Sequence, residues 1–154
     1  MKSKILILFV AFITATSFGQ SAAKRVAAFN LEKNVAIQGY DPVAYFTQKK
    51  AVKGKATIAA NYEGVIYNFA SQGNKDLFLK NPASYEPQYG GWCSYAMGAN
   101  GEKVEVDPET FKIVDGKLNL FYNAFFNNTL KTWNKDEVNL KKKADANWKK
   151  IISK

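Results

Sequence analysis

Two short turn sequences constrain the fold of this chain more than any other feature. Glu63-Gly64 and Asp115-Gly116 each separate two runs of strand-forming residues. A two-residue connection that ends in glycine favours a type I′ turn, because both central residues of that turn take positive φ. The sequence therefore predicts two antiparallel β-hairpins. Their strands are 57–62 with 65–69, and 111–114 with 117–122.

Helical signals stand between and after the hairpins. Ser71 is a favourable N-cap ahead of a short helix predicted over 74–80, in which Leu77 and Phe78 are expected to be buried. Two closing helices are predicted, at 124–133 and 135–152. Strand and helix do not alternate in βαβ order. The predicted fold class is therefore α+β, a small antiparallel sheet of two hairpins with three to four short helices.

The N-terminus has the three-part pattern of a secretory signal peptide. Lys2 and Lys4 precede a nine-residue apolar run at 5–13, which is too short to cross a bilayer comfortably. Small residues follow and suit cleavage after Gly19. We therefore expect an exported protein, periplasmic or secreted.

These signals divide the chain into three parts. Residues 1–19 are the predicted signal peptide, 20–33 a flexible lead-in with a weak pattern, and 34–152 the folded domain. No other run approaches the roughly 20 apolar residues of a membrane-spanning helix. We therefore predict no stable membrane insertion.

The absence of histidine excludes more functions than any residue that is present. The 154 residues contain no His and one Cys. A Ser-His-Asp triad, a histidine-ligated zinc site and an internal disulfide are all impossible within one such chain. We therefore predict that the protein is not an enzyme.

Basic residues outnumber acidic ones, 22 to 13, and they concentrate in the C-terminal tail. One interpretation is a contact with an anionic surface. The other is a terminal helix whose lysines are solvated. Stacking aromatics do not interleave with the lysines as they do in single-strand binders, so no nucleic-acid partner is predicted.

Several motifs together resemble the YHS domain family, in its exported and mostly uncharacterised branch. The resemblance runs from about residue 34 to 151 and implies the fold of a small metal-associated module. It is carried by Gly39-Tyr40-Asp41-Pro42-Val43-Ala44-Tyr45-Phe46, Tyr62-Glu63-Gly64-Val65-Ile66-Tyr67-Asn68-Phe69-Ala70-Ser71, Asn81-Pro82-Ala83-Ser84-Tyr85, Gln88-Tyr89-Gly90-Gly91-Trp92-Cys93, Val114-Asp115-Gly116-Lys117-Leu118 and Ala144-Asp145-Ala146-Asn147-Trp148.

The metal-binding cysteines that the resemblance implies are replaced in this chain. Their positions fall on Ala44, Ala70 and Asn74. Two methyl groups and a carboxamide cannot form a thiolate site. The resemblance therefore predicts the fold without the family's metal site, and no cofactor is expected.

One pair of sulfur ligands remains possible. Cys93 and Met97 are four residues apart, a spacing that places two side chains on the same face of a helix. A thiolate and a thioether suit Cu(I), so copper is the alternative cofactor. The other interpretation is that both residues are ordinary core side chains.

Aromatic residues near turns offer a different kind of site. Tyrosine and tryptophan combine an apolar face with a polar end and suit a cleft for a small organic ligand. The predicted ligand-binding residues are Tyr40, Asp41, Tyr89, Trp92 and Tyr95. The sequence thus predicts a secreted, non-enzymatic YHS-type protein that binds a small ligand or a protein partner. The alternative is a Cu(I)-binding protein.

Overall fold

The computed structural model describes residues 15–153, with side chains described from residue 21. The helices are α1 (Ala15–Ala28), α2 (Ala44–Thr47), α3 (Gln72–Lys80), α4 (Pro82–Tyr85), α5 (Ser94–Ala99), α6 (Thr129–Trp133) and α7 (Glu137–Ile152). The strands are β1 (Leu31–Glu32), β2 (Val35–Ala36), β3 (Lys55–Tyr62), β4 (Val65–Phe69), β5 (Asp107–Val114), β6 (Lys117–Phe121), β7 (Asn123–Ala124) and β8 (Asn127–Asn128). Short 3₁₀ turns lie at Ile37–Gly39 and Gln88–Gly91.

The α+β fold class is confirmed, but the two hairpins lie in separate sheets. The first sheet has the order β1-β2-β4-β3, and its β2–β4 pair is parallel. Strand β4 is paired on both edges, by β3 and by β2. The β5–β6 hairpin forms a two-stranded sheet of its own, and β7 pairs with β8 in another.

Both predicted turns are present. Tyr62 pairs with Val65, and φ is 48° at Glu63 and 87° at Gly64. The second turn, between Val114 and Lys117, has φ of 51° at Asp115 and 69° at Gly116. Positive φ at both central residues is the type I′ geometry, which matches the right-handed twist of the strands.

Gly116→Val is expected to lower the free energy of unfolding by about 1–3 kcal/mol, the usual cost of a strained backbone residue. A Cβ at this position would meet nothing within 4 Å, so the loss would come from the backbone at φ +69°. Asp115→Asn is the control, because Asn-Gly suits the same turn. Urea denaturation of both variants checks the prediction, and an unchanged midpoint for Gly116→Val would contradict it.

The main core lies between the first sheet, α3 and the β5–β6 hairpin. Residues alternate along β4, so Val65, Tyr67 and Phe69 all point into the core. Phe78 of α3 packs against this row, with its ring centroid 4.7 Å from that of Tyr67. Leu77 was predicted to be buried with Phe78 but is 39% exposed. Successive residues of a helix are about 100° apart, so a helix this short buries one of the two.

The N-terminal region carries structure beyond the sequence prediction. Of the predicted signal peptide at 1–19, residues 1–14 lie outside the described residues, and the rest belong to α1. The segment predicted as a flexible lead-in, 20–33, contains the end of α1 and strand β1. No helix among residues 15–153 is long and apolar enough to cross a bilayer.

Candidate functional site

The carboxylate of Asp41 is fully buried and joins three segments of the chain. Its Oδ1 accepts the backbone N–H groups of Val43 (2.8 Å) and Ala44 (3.3 Å), which open α2. Its Oδ2 accepts the backbone N–H of Ala70 (2.8 Å) and the side-chain amide of Asn74 (2.7 Å). Four N–H donors replace the water that a buried charge would otherwise lose. Asp41 therefore anchors the end of β4 and the start of α3 to the turn before α2.

The sulfur atoms of Cys93 and Met97 lie in different parts of the core, and both side chains are fully buried. Cys93 is the N-cap of α5 with ψ of 115°, which is not helical, so the i, i+4 relation does not bring the two side chains together. Its Sγ accepts the backbone N–H of Tyr122 at 3.4 Å, and Met97 packs against Tyr89. A metal ion would have to displace core contacts to reach either sulfur.

Tyr40 lies apart from the other predicted ligand-binding aromatics. Its hydroxyl donates to Glu109 at 3.3 Å, and the ammonium of Lys53 lies 4.5 Å from its ring centroid. These contacts are at the surface beside the Asp41 anchor. Tyr40 and Asp41 are thus sequence neighbours whose side chains serve separate networks.

The remaining predicted residues lie around α5 and α7. The Tyr89 hydroxyl donates to Asp145 of α7 at 2.9 Å, and the Trp92 indole N–H donates to the carbonyl of Ala28 at 2.8 Å. Tyr95 packs between two parts of the core. Burial, together with the Asp145 carboxylate, raises the pKa of the Tyr89 phenol. The structure brings Tyr89 and Trp92 into one cluster and leaves Tyr40 outside it.

A cavity of about 500 Å³ lies between α1 and α7. Its apolar wall is formed by Phe29, Trp148, Ile151 and Ile152. The rings of Phe29 and Trp148 are tilted by 55° with centroids 5.8 Å apart. Gly90 passes close to both rings, and a Cβ there would lie 2.7 Å from Trp148 and 2.9 Å from Phe29. The absence of a side chain at Gly90 therefore lets this aromatic pair form.

Arg25 of α1 attaches one side of the cavity to the domain. Its guanidinium forms ion pairs with Glu86 at 2.5 Å and with Glu63 at 3.2 Å, and it lies 4.5 Å from the ring centroid of Phe29. Glu86 also accepts the hydroxyl of Tyr67 at 2.5 Å. Burial and this carboxylate raise the pKa of the Tyr67 phenol, which keeps it protonated as a donor. The two carboxylates more than balance the single positive charge of Arg25, and Glu63 also lines the cavity.

Two further cations at the cavity are not neutralised in this way. Lys24 and Lys103 line it from opposite segments of the chain, and both are exposed. Neither forms an ion pair with any described residue. The Lys103 ammonium lies 3.4 Å from the carbonyl of Ala27 and 5.6 Å from the Trp92 ring centroid. The cavity thus combines an aromatic and aliphatic wall with two available positive charges.

Residues 43–89 match the YHS domain family. The match covers about a third of the chain and confirms the resemblance over the segment from α2 to the turn at Tyr89. No curated protein and no solved structure matches the chain. The wider resemblance at 34–151 and the exported branch stay predictions.

The YHS family is associated with metal binding, and the residues of this chain do not fit a metal at the implied positions. Ala44, Ala70 and Asn74 do converge, since all three donate N–H groups to the Asp41 carboxylate. Two of them have no side-chain ligand, and the amide of Asn74 is already used as a donor. No group of three His, Cys, Asp or Glu residues in the described chain could hold a metal ion. In the segment that resembles the YHS family, the Asp41 carboxylate binds the three positions where the resemblance implies metal ligands.

The sequence predicted the helix that forms one wall of the cavity, α7, but not helix α1, which forms the other. Trp148, Ile151 and Ile152 stand at helical spacing within the closing helix predicted at 135–152, which is typical of an apolar face. Helix α1 was not predicted, because its charged and hydrogen-bonded contacts with the domain, through Arg25 and the backbone of Ala27 and Ala28, are all with residues distant in the sequence. A single basic residue in a weakly patterned segment carries no local signal of its partners.

Proposed function

We propose that this protein is an exported, non-enzymatic binding module whose ligand is a small amphiphilic anion held between α1 and α7. One observation carries the proposal. The cavity places Lys24 and Lys103, neither of which has an acidic partner among the described residues, beside an apolar wall of Phe29, Trp148 and Ile151.

The size and chemistry of the cavity support a ligand with an apolar body and one carboxylate-like head. Ligand sites commonly have volumes of about 300–1,000 Å³, with predominantly apolar walls and a few placed polar groups. The cavity of about 500 Å³ falls within that range. Aromatic faces bind rings and acyl chains, and exposed ammonium groups bind an anion at the rim.

Two further features support the proposal that the protein is a binding module and that it is exported. The chain has no histidine, and its single cysteine is buried in the core without an acid–base partner among its contacts. Residues 2–19 have the pattern of a secretory signal. The predicted ligand-binding residue Trp92 contacts the site through Lys103, whose ammonium lies 5.6 Å from the centroid of the Trp92 ring.

Dodecanoate is expected to bind the full chain at a single saturable site in isothermal titration calorimetry. The double variant Lys24→Glu/Lys103→Glu should lower its association constant by at least about ten-fold, because two attractive charges become repulsive ones. Dodecyltrimethylammonium, with the same chain and the opposite charge, should show no saturable binding to the wild-type protein.

The matched control is Lys80→Glu/Lys143→Glu, which makes the same change in net charge at exposed positions outside the cavity. It should retain wild-type affinity for dodecanoate. An equal loss of affinity in both double variants would mean that the long-range charge of the protein, rather than this cavity, attracts the anion. The absence of saturable dodecanoate binding would also contradict the proposed function.

A further inference from the structure

The most exposed aromatic side chains in the described chain are at the turn between β7 and β8. Ala124 pairs with Asn127, so Phe125 and Phe126 are the two central residues of a tight hairpin. Their exposed fractions are 90% and 113%. We call this pair of residues the aromatic tip.

The backbone conformation of the aromatic tip is unfavourable, as is the exposure of its two rings. Its φ angles are 50° at Phe125 and 62° at Phe126, both in the left-handed region. Of the three other hairpins with this geometry, two have glycine at the second position, Gly64 and Gly116, and the β1–β2 turn has Asn34 there. A bulky residue disfavours left-handed backbone, and Asn-Gly is the favoured pair at such a turn. Two phenylalanines are therefore unfavourable at this turn, and strained backbone of this kind concentrates at functional positions.

The base of this hairpin is firmly attached to the domain. The Thr129 hydroxyl and backbone N–H both donate to the carbonyl of Tyr122, at 2.9 Å and 3.0 Å. The side-chain amide of Asn123 donates to the hydroxyl of Thr110 at 2.9 Å. Asn128 caps α6 by accepting the backbone N–H of Leu130 at 3.1 Å. These hydrogen bonds hold the base of the hairpin, and with it the aromatic tip, in place on the domain.

Charge is arranged around the aromatic tip in a pattern that suits an anionic membrane surface. Residues 118–130 contain no charged side chain, and the first charged residue after them is Lys131. At the base of the hairpin, the Asn123 amide donates to the Asp107 carboxylate at 3.5 Å. The collar of the tip consists of asparagines, which are uncharged and polar. Lys131 and Lys135 are exposed just beyond the hairpin. The uncharged tip can enter the interface while the ammonium groups of Lys131 and Lys135 remain with the lipid headgroups.

The area of the aromatic tip favours a bilayer over a protein partner. Two phenylalanines bury about 300–500 Å² at most, whereas a stable protein complex needs about 800 Å² from each partner. The asparagine collar adds no apolar area to the contact. A lipid surface needs only the aromatic tip itself, together with electrostatic attraction.

We propose that the aromatic tip inserts reversibly into the interfacial region of an anionic lipid bilayer and holds the domain there as a peripheral protein. This surface is separate from the α1–α7 cavity and does not depend on its ligand. It involves two side chains at a loop and needs no membrane-spanning segment.

Sedimentation with lipid vesicles tests the proposal on the full chain. The double variant Phe125→Asn/Phe126→Gly removes both aromatic rings and installs the favoured turn pair, so it should fold with an equal or higher unfolding midpoint. Its partition coefficient onto vesicles of phosphatidylcholine and phosphatidylglycerol should fall by at least about ten-fold. Wild-type binding should also be weaker on phosphatidylcholine alone. The matched control Leu79→Asn/Val138→Asn removes two other exposed apolar side chains and should bind like wild type.

A fluorescence measurement reports on the aromatic tip itself, whatever the rest of the chain contributes to vesicle binding. In Phe125→Trp, the added indole emission should shift to the blue on anionic vesicles and be quenched by brominated acyl chains, relative to the wild-type background. Unchanged sedimentation of Phe125→Asn/Phe126→Gly would overturn the proposal. So would an equal loss in the control variant. An introduced indole that stays solvated on anionic vesicles would also overturn it and point to a protein partner for the tip.

Discussion

Asp41→Ala is expected to lower the free energy of unfolding by about 4 kcal/mol. The carboxylate is fully buried and accepts four N–H groups from three segments. Each buried donor left without an acceptor costs about 1–3 kcal/mol, and water entering the small space would recover part of the loss. Chemical denaturation monitored by tryptophan fluorescence measures the difference.

Two further variants sharpen this test. Asp41→Asn should cost about half as much, because a flipped Asn74 amide can accept from the new NH₂ group and leave only part of the network unsatisfied. Asp76→Asn changes an exposed carboxylate that accepts a hydrogen bond from Gln72 alone, and should remain within about 0.5 kcal/mol of wild type. If Asp41→Ala cost no more than Asp76→Asn, the anchoring role of Asp41 would be wrong.

Gly98→Ala is expected to cost about 3 kcal/mol, because it separates two helices that touch through their backbones. A Cβ at Gly98 of α5 would lie 2.4 Å from the carbonyl oxygen of Leu140 in α7, and 3.0 Å from its carbonyl carbon. Backbone atoms cannot rotate aside as the end of a side chain can. Overpacking of this kind typically costs about 1–3 kcal/mol, and here the obstacle is rigid. Thermal and urea denaturation should both show the loss.

Gly73→Ala is the matched control for this substitution. Gly73 lies in α3, and the nearest atom to a new Cβ is the Ser71 Oγ at 3.9 Å. Alanine there should be neutral or stabilising by about 0.4–1 kcal/mol, since it restricts the unfolded chain without a clash. Similar losses for both variants would show that α5 and α7 tolerate separation, contrary to the close approach at Gly98.

Local features of this protein were predictable because their energies depend on neighbouring residues. The Glu63-Gly64 and Asp115-Gly116 turns need positive φ, and glycine in the second position indicates where this occurs. Ser71 was predicted as an N-cap, and its Oγ accepts the backbone N–H of Asn74 at 3.2 Å. The β7–β8 hairpin was missed because its turn, Phe125-Phe126, has no glycine, and its residues were predicted as the start of a helix over 124–133. The β1–β2 hairpin, whose turn is Lys33-Asn34, was missed for the same reason.

The family resemblance located the Asp41 anchor without revealing its chemistry. It implied ligand positions at Ala44, Ala70 and Asn74, and the structure brings these three together around one carboxylate. Their residue types already excluded a thiolate site. That Asp41 takes the central place was not predictable, because an Asp-Pro pair is an ordinary turn signal.

Residue type and short-range geometry were enough to predict the α+β class, two hairpin turns, the α3 cap and the loss of the implied metal ligands. Contacts between groups distant in the sequence are visible only in the folded protein. Asp41 reaches Asn74 across 33 residues, and Arg25 reaches Glu86 across 61. Lys24 and Trp148, at opposite ends of the sequence, line the same cavity. Such meetings depend on how helices and sheets pack over the whole chain, and the free energy of packing is shared among many residues, so no short stretch of sequence encodes it.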